Sequence, residues 1–254
     1  MNTIRREKVK EMLHSKPFLS LKELTEKFPE VSSMTLRRDI DYFEAQGEAI
    51  KVRGGARSMK FITTSMEESF NFRLYENMSG KERIARKAIE MIETGRSLFL
   101  DSGTTMLKLA SMLPDERLSI TTTGPNIALE LIKKSLPIVN LVGGMLNRDN
   151  ISVSGTQSMQ LLENINIDTA FVVPSGMSAK DGMTSGNYSE CELKQFIIGK
   201  ARRVIVLMDS SKLGKSLPYT FCSFDSVSAI VTDRVLPPDI DAAARSAGVE
   251  IIVV

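Results

Sequence analysis

From Gly80 onward, short apolar runs alternate with stretches of helical period, and this alternation restricts the fold more than any other feature of the chain. Ile84, Ala85, Ala88, Ile89 and Ile92 mark an amphipathic helix. Ser97-Leu98-Phe99-Leu100 reads as a short buried strand ending at Asp101. Further strands are expected at 118–121, 138–142, 169–173, 203–208, 228–231 and 249–253, separated by helical stretches. Strands alternating with helices imply a mostly parallel sheet covered on both faces.

In such sheets, ligands collect beyond the C-terminal strand ends, near the point where the strand order reverses. The polar residues cluster at those expected ends. Asp101-Ser102-Gly103-Thr104-Thr105 follows the first strand and opens a helix. Glycine permits a tight turn, the hydroxyls donate, and the helix N-terminus offers free N–H groups beside a positive dipole end, which together suit an anion. Thr121-Thr122-Thr123-Gly124-Pro125-Asn126, Gly143-Gly144, Ser175-Gly176 and Asp209-Ser210-Ser211-Lys212 follow later strands. Any one of these loops is explained by helix capping; five at one sheet edge point to a binding site.

The first sixty residues follow a different pattern. A helix from about Ile4 to Leu13 ends before Pro17. Ser20-Leu21-Lys22-Glu23 is a capping box that opens a second helix, stopped at Pro29. A third helix, from about Ser33 to Gln46, buries Leu36, Ile40 and Phe43 as one stripe and stops at Gly47. At about 100° per residue, Arg37 and Arg38 lie well away from that stripe and Thr35 on its flank. Residues 49–56, with Arg53-Gly54-Gly55 at the turn, read as a strand, a tight turn and a return. Three helices and a wing, with Ser32, Ser33, Thr35, Arg37, Arg38, Arg53, Gly54 and Gly55 as the candidate contacts, suit double-stranded DNA.

Charge supports this division. Residues 1–60 hold 13 Lys/Arg against 9 Asp/Glu, a net +4, while the remainder holds 20 against 22, a net −2. The only histidine is His14, in the basic head, so a His-based metal site or a Ser-His-Asp triad is not available to the body. No metal and no cofactor are expected. Gly214-Lys215-Ser216 resembles the end of a phosphate-binding P-loop, but Asp209 stands where its first glycine belongs. The N-terminus has no apolar stretch behind its charges, and the longest apolar run, Val204–Met208, is too short for a bilayer. Two cysteines, Cys191 and Cys222, form no framework. A reduced, cytoplasmic protein is expected.

Thr35-Leu36-Arg37-Arg38-Asp39-Ile40, then Gly47, then Arg53-Gly54-Gly55-Ala56, resembles the winged helix-turn-helix of the DeoR/GlpR regulators. The body resembles that family's effector domain in Lys81-x-x-Ile84-Ala85, Asp101-Ser102-Gly103-Thr104-Thr105, Gly143-Gly144, Gly155, Gly182-Met183-Thr184, Glu192 with Lys194, Asp209-Ser210-Ser211-Lys212 and Thr232-Asp233. Two departures stand out. One extra residue lies between Phe28 and Arg37, and Gly124 replaces the family's usual Asn, leaving Asn126 as a nearby amide.

The resemblance implies an α/β protein with an N-terminal winged helix-turn-helix head plus a larger α/β domain resembling ribose-5-phosphate isomerase. The expected divisions are a head at 1–57, a linker at 58–78 and an effector domain at 79–254. It implies a repressor of a carbohydrate operon, acting as a dimer or higher oligomer and controlled by a sugar phosphate. Ser102, Gly103, Thr104, Thr105 and Lys212 would hold the phosphate, and Asp101, Glu192 and Asp209 the hydroxyls. Thr123, Asn126, Gly143, Gly144, Ser175 and Gly176 complete the candidate effector set. The competing reading is a sugar-phosphate isomerase-like enzyme with an appended head, in which Asp101, Glu190, Glu192 and Asp209 are candidate bases and Lys212 a candidate electrophile.

Overall fold

The structure, a computed structural model, describes residues 2–16, 18–52, 54–58 and 70–254. The chain divides into two compact units, 1–66 and 67–254.

In the smaller unit, α1 (Asn2–Ser15), α2 (Leu21–Lys27) and α3 (Ser33–Ala45) enclose a core of Val9, Leu13, Leu24, Leu36, Ile40 and Phe43. The capping box forms as expected: Glu23 N–H donates to Ser20 Oγ at 3.1 Å, and Ser20 N–H to Glu23 Oε2 at 2.9 Å. The turn between α2 and α3 closes with Val31 N–H donating to the Phe28 carbonyl at 3.0 Å. A short strand β1 (Phe18–Ser20) joins the wing strands β2 (Ala49–Val52) and β3 (Gly55–Ser58) in the order β1-β3-β2. The two wing glycines serve different needs. Gly54 adopts φ +90°, which favours glycine. At Gly55 a Cβ would lie 2.2 Å from the Leu19 carbonyl, so only glycine lets β3 approach β1. Arg53 lies outside the described residues.

The larger unit begins with α4 (Phe70–Tyr75) and α5 (Met78–Glu90). Residues 70–78, placed in the linker by the sequence reading, are thus structured parts of this unit, with Phe70 buried and its N–H donating to the Asp149 carbonyl. There follow β4 (Ser97–Leu100), α6 (Thr104–Met112), β5 (Ser119–Thr122), α7 (Pro125–Leu131) and β6 (Ile138–Leu141). A hairpin, β7 (Met145–Asn147) and β8 (Ser152–Ser154), leads into α8 (Thr156–Glu163). After β9 (Thr169–Val172) come β10 (Gly176–Ser178), β11 (Gly182–Ser185), α9 (Tyr188–Lys200) and β12 (Arg203–Met208). The chain ends with β13 (Tyr219–Cys222), β14 (Ala229–Thr232), α10 (Pro238–Ser246) and β15 (Glu250–Val253).

Seven strands form a wholly parallel sheet in the order β15-β14-β12-β9-β4-β5-β6. Both faces are buried, and alternate residues serve opposite cores. Leu98, Leu100, Phe171, Ile205 and Leu207 meet α5, α6 and α7. Phe99, Ala170, Val172, Val204 and Val206 meet the other core, with α8, α9 and α10. The antiparallel sheet β10-β11-β13, which the sequence reading missed, packs Met177, Met183 and Phe221 into the second core.

One ion cluster holds the small unit together. Asp39 is buried on α3, and Arg5 and Arg6 of α1 donate to it at 2.6 and 3.0 Å. Arg6 also lies 3.9 Å over the Tyr42 ring. Burial works against the Asp39 carboxylate, yet the bonds from Arg5 and Arg6 outweigh it and hold its pKa below the ordinary 3.8. The stability it contributes is therefore complete above that value and is lost as the pH falls beneath it. An Asp39→Ala variant is expected to lose about 2 kcal/mol, read as faster hydrogen exchange in α1 and α3. Unchanged exchange would remove the cluster from this role.

Candidate functional site

The strand order fixes where a site can form. From β4 the chain moves outward to β5 and β6, then returns to β9 on the other side of β4. The sheet therefore has its switch point between the ends of β4 and β9. Asp101, just past β4, fills the split. Its Oδ1 accepts from Ser102 N–H at 2.8 Å and its Oδ2 from Val173 N–H at 3.0 Å. Lys194, from α9, lies 2.9 Å from Oδ2 and donates to the Val173 carbonyl at 2.7 Å. Both side chains are buried. Burial pushes the Asp101 pKa above its ordinary value, and Lys194 opposes that rise.

Above this pair lies a narrow crevice of about 30 Å³ that opens to solvent. One wall is the start of α6. Gly103, at φ +124°, caps that helix without a side-chain hydrogen bond, so the first-turn N–H groups and the Thr104 and Thr105 hydroxyls lie at the crevice. The opposite walls carry two cations, Arg73 from α4 and Lys212, which lies in a 3₁₀ turn, Ser210–Lys212. Burial pulls the Lys212 pKa down, and Asp209 opposes the shift. Lys212 lies 3.9 Å from Glu76.

Two carboxylates complete the lining. Glu190 is buried, with Ser102 Oγ at 3.3 Å and Ser185 Oγ at 3.4 Å. Asp209 is buried, lies 3.8 Å from the Lys81 ammonium and accepts from Ser211 N–H at 3.0 Å. Lys81 in turn donates to the backbone carbonyls of Arg73, at 2.7 Å, and of Glu76. The end of α4 is thereby tied to the loop after β12. Gly80 makes this possible, because a Cβ there would lie 2.7 Å from both Asn77 Oδ1 and Asp233 Oδ2.

The crevice brings together seven of the candidate effector residues, Ser102, Gly103, Thr104, Thr105, Ser175, Asp209 and Lys212, and with them Glu190, a candidate base in the competing reading. Asp101 is not part of the lining and bonds instead to Ser102, Val173 and Lys194, which are. Other candidates lie outside the lining. The Thr123 carbonyl accepts from Val153 N–H, and the Gly143 carbonyl from Ser158 Oγ at 2.7 Å. Gly144 serves packing, since a Cβ would sit 2.6 Å from Ser158 Oγ. Gly176 is a β10 residue paired with Thr184. The Asn126 amide is buried and makes no hydrogen bond among the described residues. Glu192 bonds to Tyr188 and pushes the pKa of that phenol up. Sequence reasoning missed Arg73 and Asn150, and it placed Lys194 only through the family stretch. Helix geometry held the missing signal: Glu190 and Lys194 are four residues apart on one face of α9, and Glu192 faces the other way.

In the small unit, α3 exposes Met34, Arg37 and Arg38 on one face, with Met34 61% exposed. Neither arginine makes a salt bridge among the described residues. Ser32 Oγ accepts from Thr35 N–H at 3.3 Å and lies 3.0 Å from Thr35 Oγ1, so this pair caps the helix. Ser33 is exposed in the first turn. No helix among the described residues is long and apolar enough to cross a membrane, and no cluster of three His, Cys, Asp or Glu is placed to hold a metal.

Comparison with known proteins gives two sequence-family matches. A DeoR-like helix-turn-helix domain matches residues 5–61, and a DeoR C terminal sensor domain matches residues 76–234. The putative aga operon transcriptional repressor of Escherichia coli O157:H7 is 31% identical over 251 residues, 98% of this chain and 93% of that one. The glycerol-3-phosphate regulon repressor of Escherichia coli K12 is 30% identical over 228 residues, 89% of each chain. Among solved structures, ribose 5-phosphate isomerase A of Methanocaldococcus jannaschii aligns at 16% identity with a TM-score of 0.41, covering 55% of this chain and 56% of its own.

Lys194→Met strands the buried Asp101 carboxylate and is expected to cost about 3–5 kcal/mol in urea denaturation. Adding Asp101→Asn to that variant is expected to restore part of the loss. A Lys194→Met protein as stable as wild type would show that the pair does not hold the switch point together.

Proposed function

The chain belongs to the DeoR family of helix-turn-helix transcriptional regulators, and from that premise we propose that it represses a carbohydrate-metabolism operon and is controlled by a phosphorylated sugar. It is a DNA-binding regulator, and its curated relatives are regulators rather than enzymes. The head places α3 in the major groove, where Arg37 and Arg38 bond guanine or phosphate and Met34 meets a thymine methyl. The wing, with Arg53, Gly54 and Gly55, follows the adjacent backbone. Paired heads on two half-sites make the working form a homo-oligomer, and its place is the cytoplasm.

The observation that carries the effector reading is the uncapped N-terminus of α6 facing Arg73 and Lys212 across the crevice. A phosphate group takes the first-turn N–H groups, the hydroxyls of Ser102, Thr104 and Thr105, and both cations. Glu190, Asp209 and Asn150 receive the hydroxyls of the sugar. Asp101 takes no part in chemistry, because both its oxygens are already occupied by Ser102, Val173 and Lys194.

A ligand shifts an equilibrium only through contacts that differ between two states. An anion that pairs with Lys212 competes with Glu76, and one that pairs with Arg73 pulls on α4, the first described element after the head.

A thermal-shift screen against sugar phosphates, glycerol 3-phosphate included, is expected to raise the melting temperature with the effector. Arg73→Ala and Lys212→Ala should each weaken that effector by about 10-fold to 100-fold, near 1.5–3 kcal/mol. Arg38→Ala should weaken operator binding in gel shifts and leave the thermal shift unchanged. Operator affinity should fall steeply as salt rises, because phosphate contacts release counterions. A flat salt dependence sinks the DNA reading, and no shift with any phosphate sinks the effector reading.

A further inference from the structure

The parallel sheet has two edges, and they are finished differently. At β15, Glu250 is exposed at the start of the strand, and Arg83 Nε donates to the Val254 carbonyl at 3.2 Å. Charge at an edge discourages pairing with another chain. At β6 nothing comparable is present. Residues 135–147 contain no charged side chain. No strand among the described residues pairs with the outer side of β6.

Apolar exposure concentrates on the same part of the chain. Seven of the eighteen exposed large apolar side chains among the described residues fall within 129–146. Ile138 is 67% exposed and Met145 78%, and Leu129 and Ile132 add an exposed pair three residues apart at the end of α7. Exposed apolar side chains on and beside an uncharged strand edge suit pairing with another chain.

The backbone says what fits there. Ile138 N–H donates to Leu118 and Val142 N–H to Thr122, both toward β5. In a parallel ladder, alternate residues bond to the same neighbour. Residues 139 and 141 therefore turn their N–H and carbonyl groups outward, two donors and two acceptors. A second β6, running antiparallel about a two-fold axis at Asn140, sets 139 opposite 141 twice and satisfies all four groups with the same residues.

We propose that β6 is a self-association edge: it pairs with β6 of a second copy of this chain to make one continuous sheet across the dimer, with α7 and β7 widening the contact. The strand alone is too small for a stable interface, which needs about 600–800 Å² from each partner, so the proposed contact takes in the exposed Leu129 and Ile132 at the end of α7, which packs on β6, and Met145 just beyond the strand. A two-fold dimer is what paired heads on an operator require, and to that extent the proposal rests on the operator-binding reading.

The test uses the full chain in light-scattering chromatography. The wild type should run as a dimer or an even multiple, and Leu141→Lys should halve its mass. Independently, Asn140→Cys should form a covalent dimer on mild oxidation, because 140 faces 140 of the second copy in a close, non-hydrogen-bonded pair and both native cysteines are buried. An oligomer unchanged in mass by Leu141→Lys and not cross-linked through Asn140→Cys overturns the β6 edge while the paired-head reading stands. A wild type that is monomeric at concentrations that saturate the operator overturns both.

Discussion

The larger unit is organised by one buried ion pair, Asp101 with Lys194. Taking two charges out of water costs several kcal/mol each, and attraction repays this only where the remaining groups are hydrogen-bonded. Here they are. The point where β4 and β9 diverge leaves Val173 with an N–H and a carbonyl that no strand neighbour takes. Asp101 accepts from the first, and Lys194 donates to the second. The pair thus closes a gap that the strand order itself opens. With both Asp101 oxygens occupied, the chemistry left for the crevice is that of the α6 N-terminus, two cations and two carboxylates. Under the proposed function, that chemistry holds a phosphorylated polyol.

The smaller unit uses the same device. Asp39 sits on α3 between Leu36 and Ile40, and its burial is tolerable because Arg5 and Arg6 reach it from α1. The run Thr35-Leu36-Arg37-Arg38-Asp39-Ile40 therefore mixes three roles. Its arginines face outward, its Leu and Ile face the core, and its aspartate clamps the helix that carries them. Helical periodicity finds the first two roles. On a helical wheel Asp39 lies about 60° from Leu36, inside the buried sector. Its charge alone suggests the surface, and only the partners on α1 reverse that.

How much was legible follows from the length of each element's signal. The seven parallel strands were readable because burial on both faces makes each a dense apolar run. The loops after them were readable because they gather Gly, Ser, Thr and Asp where such strands end. The similarly short β7, β8, β10 and β11 mix Gly, Ser, Thr and Asn with one or two apolar residues, so they show neither a dense apolar run nor enough of a period to register. Arg73 was hidden for another reason. It lies in Phe70–Tyr75, a segment whose position in the chain suggested a connector, while its Lys81-bonded carbonyl and its place in the crevice wall arise only from the fold. The Gly143-Gly144 pair shows the converse: glycines at a strand end resembled a ligand loop, but at Gly144 the need is room for Ser158 and the β8 backbone.

The placement of α4 links these points. The crevice is walled by loops of the sheet on most sides and on one side by the element that follows the segment leading from the head. Arg73 faces the cavity, Glu76 lies near Lys212, and Lys81 binds the α4 carbonyls while lying 3.8 Å from Asp209. Under the proposed function, each is a charge whose partner changes when the anion enters. A sugar phosphate held only by the α6 N-terminus would bind without consequence, since that helix is fixed by the core it buries. Held also by Arg73 and Lys212, it alters the bonds that fix α4. Under the proposed function, the residues that give the effector its affinity are then the same ones that give it control.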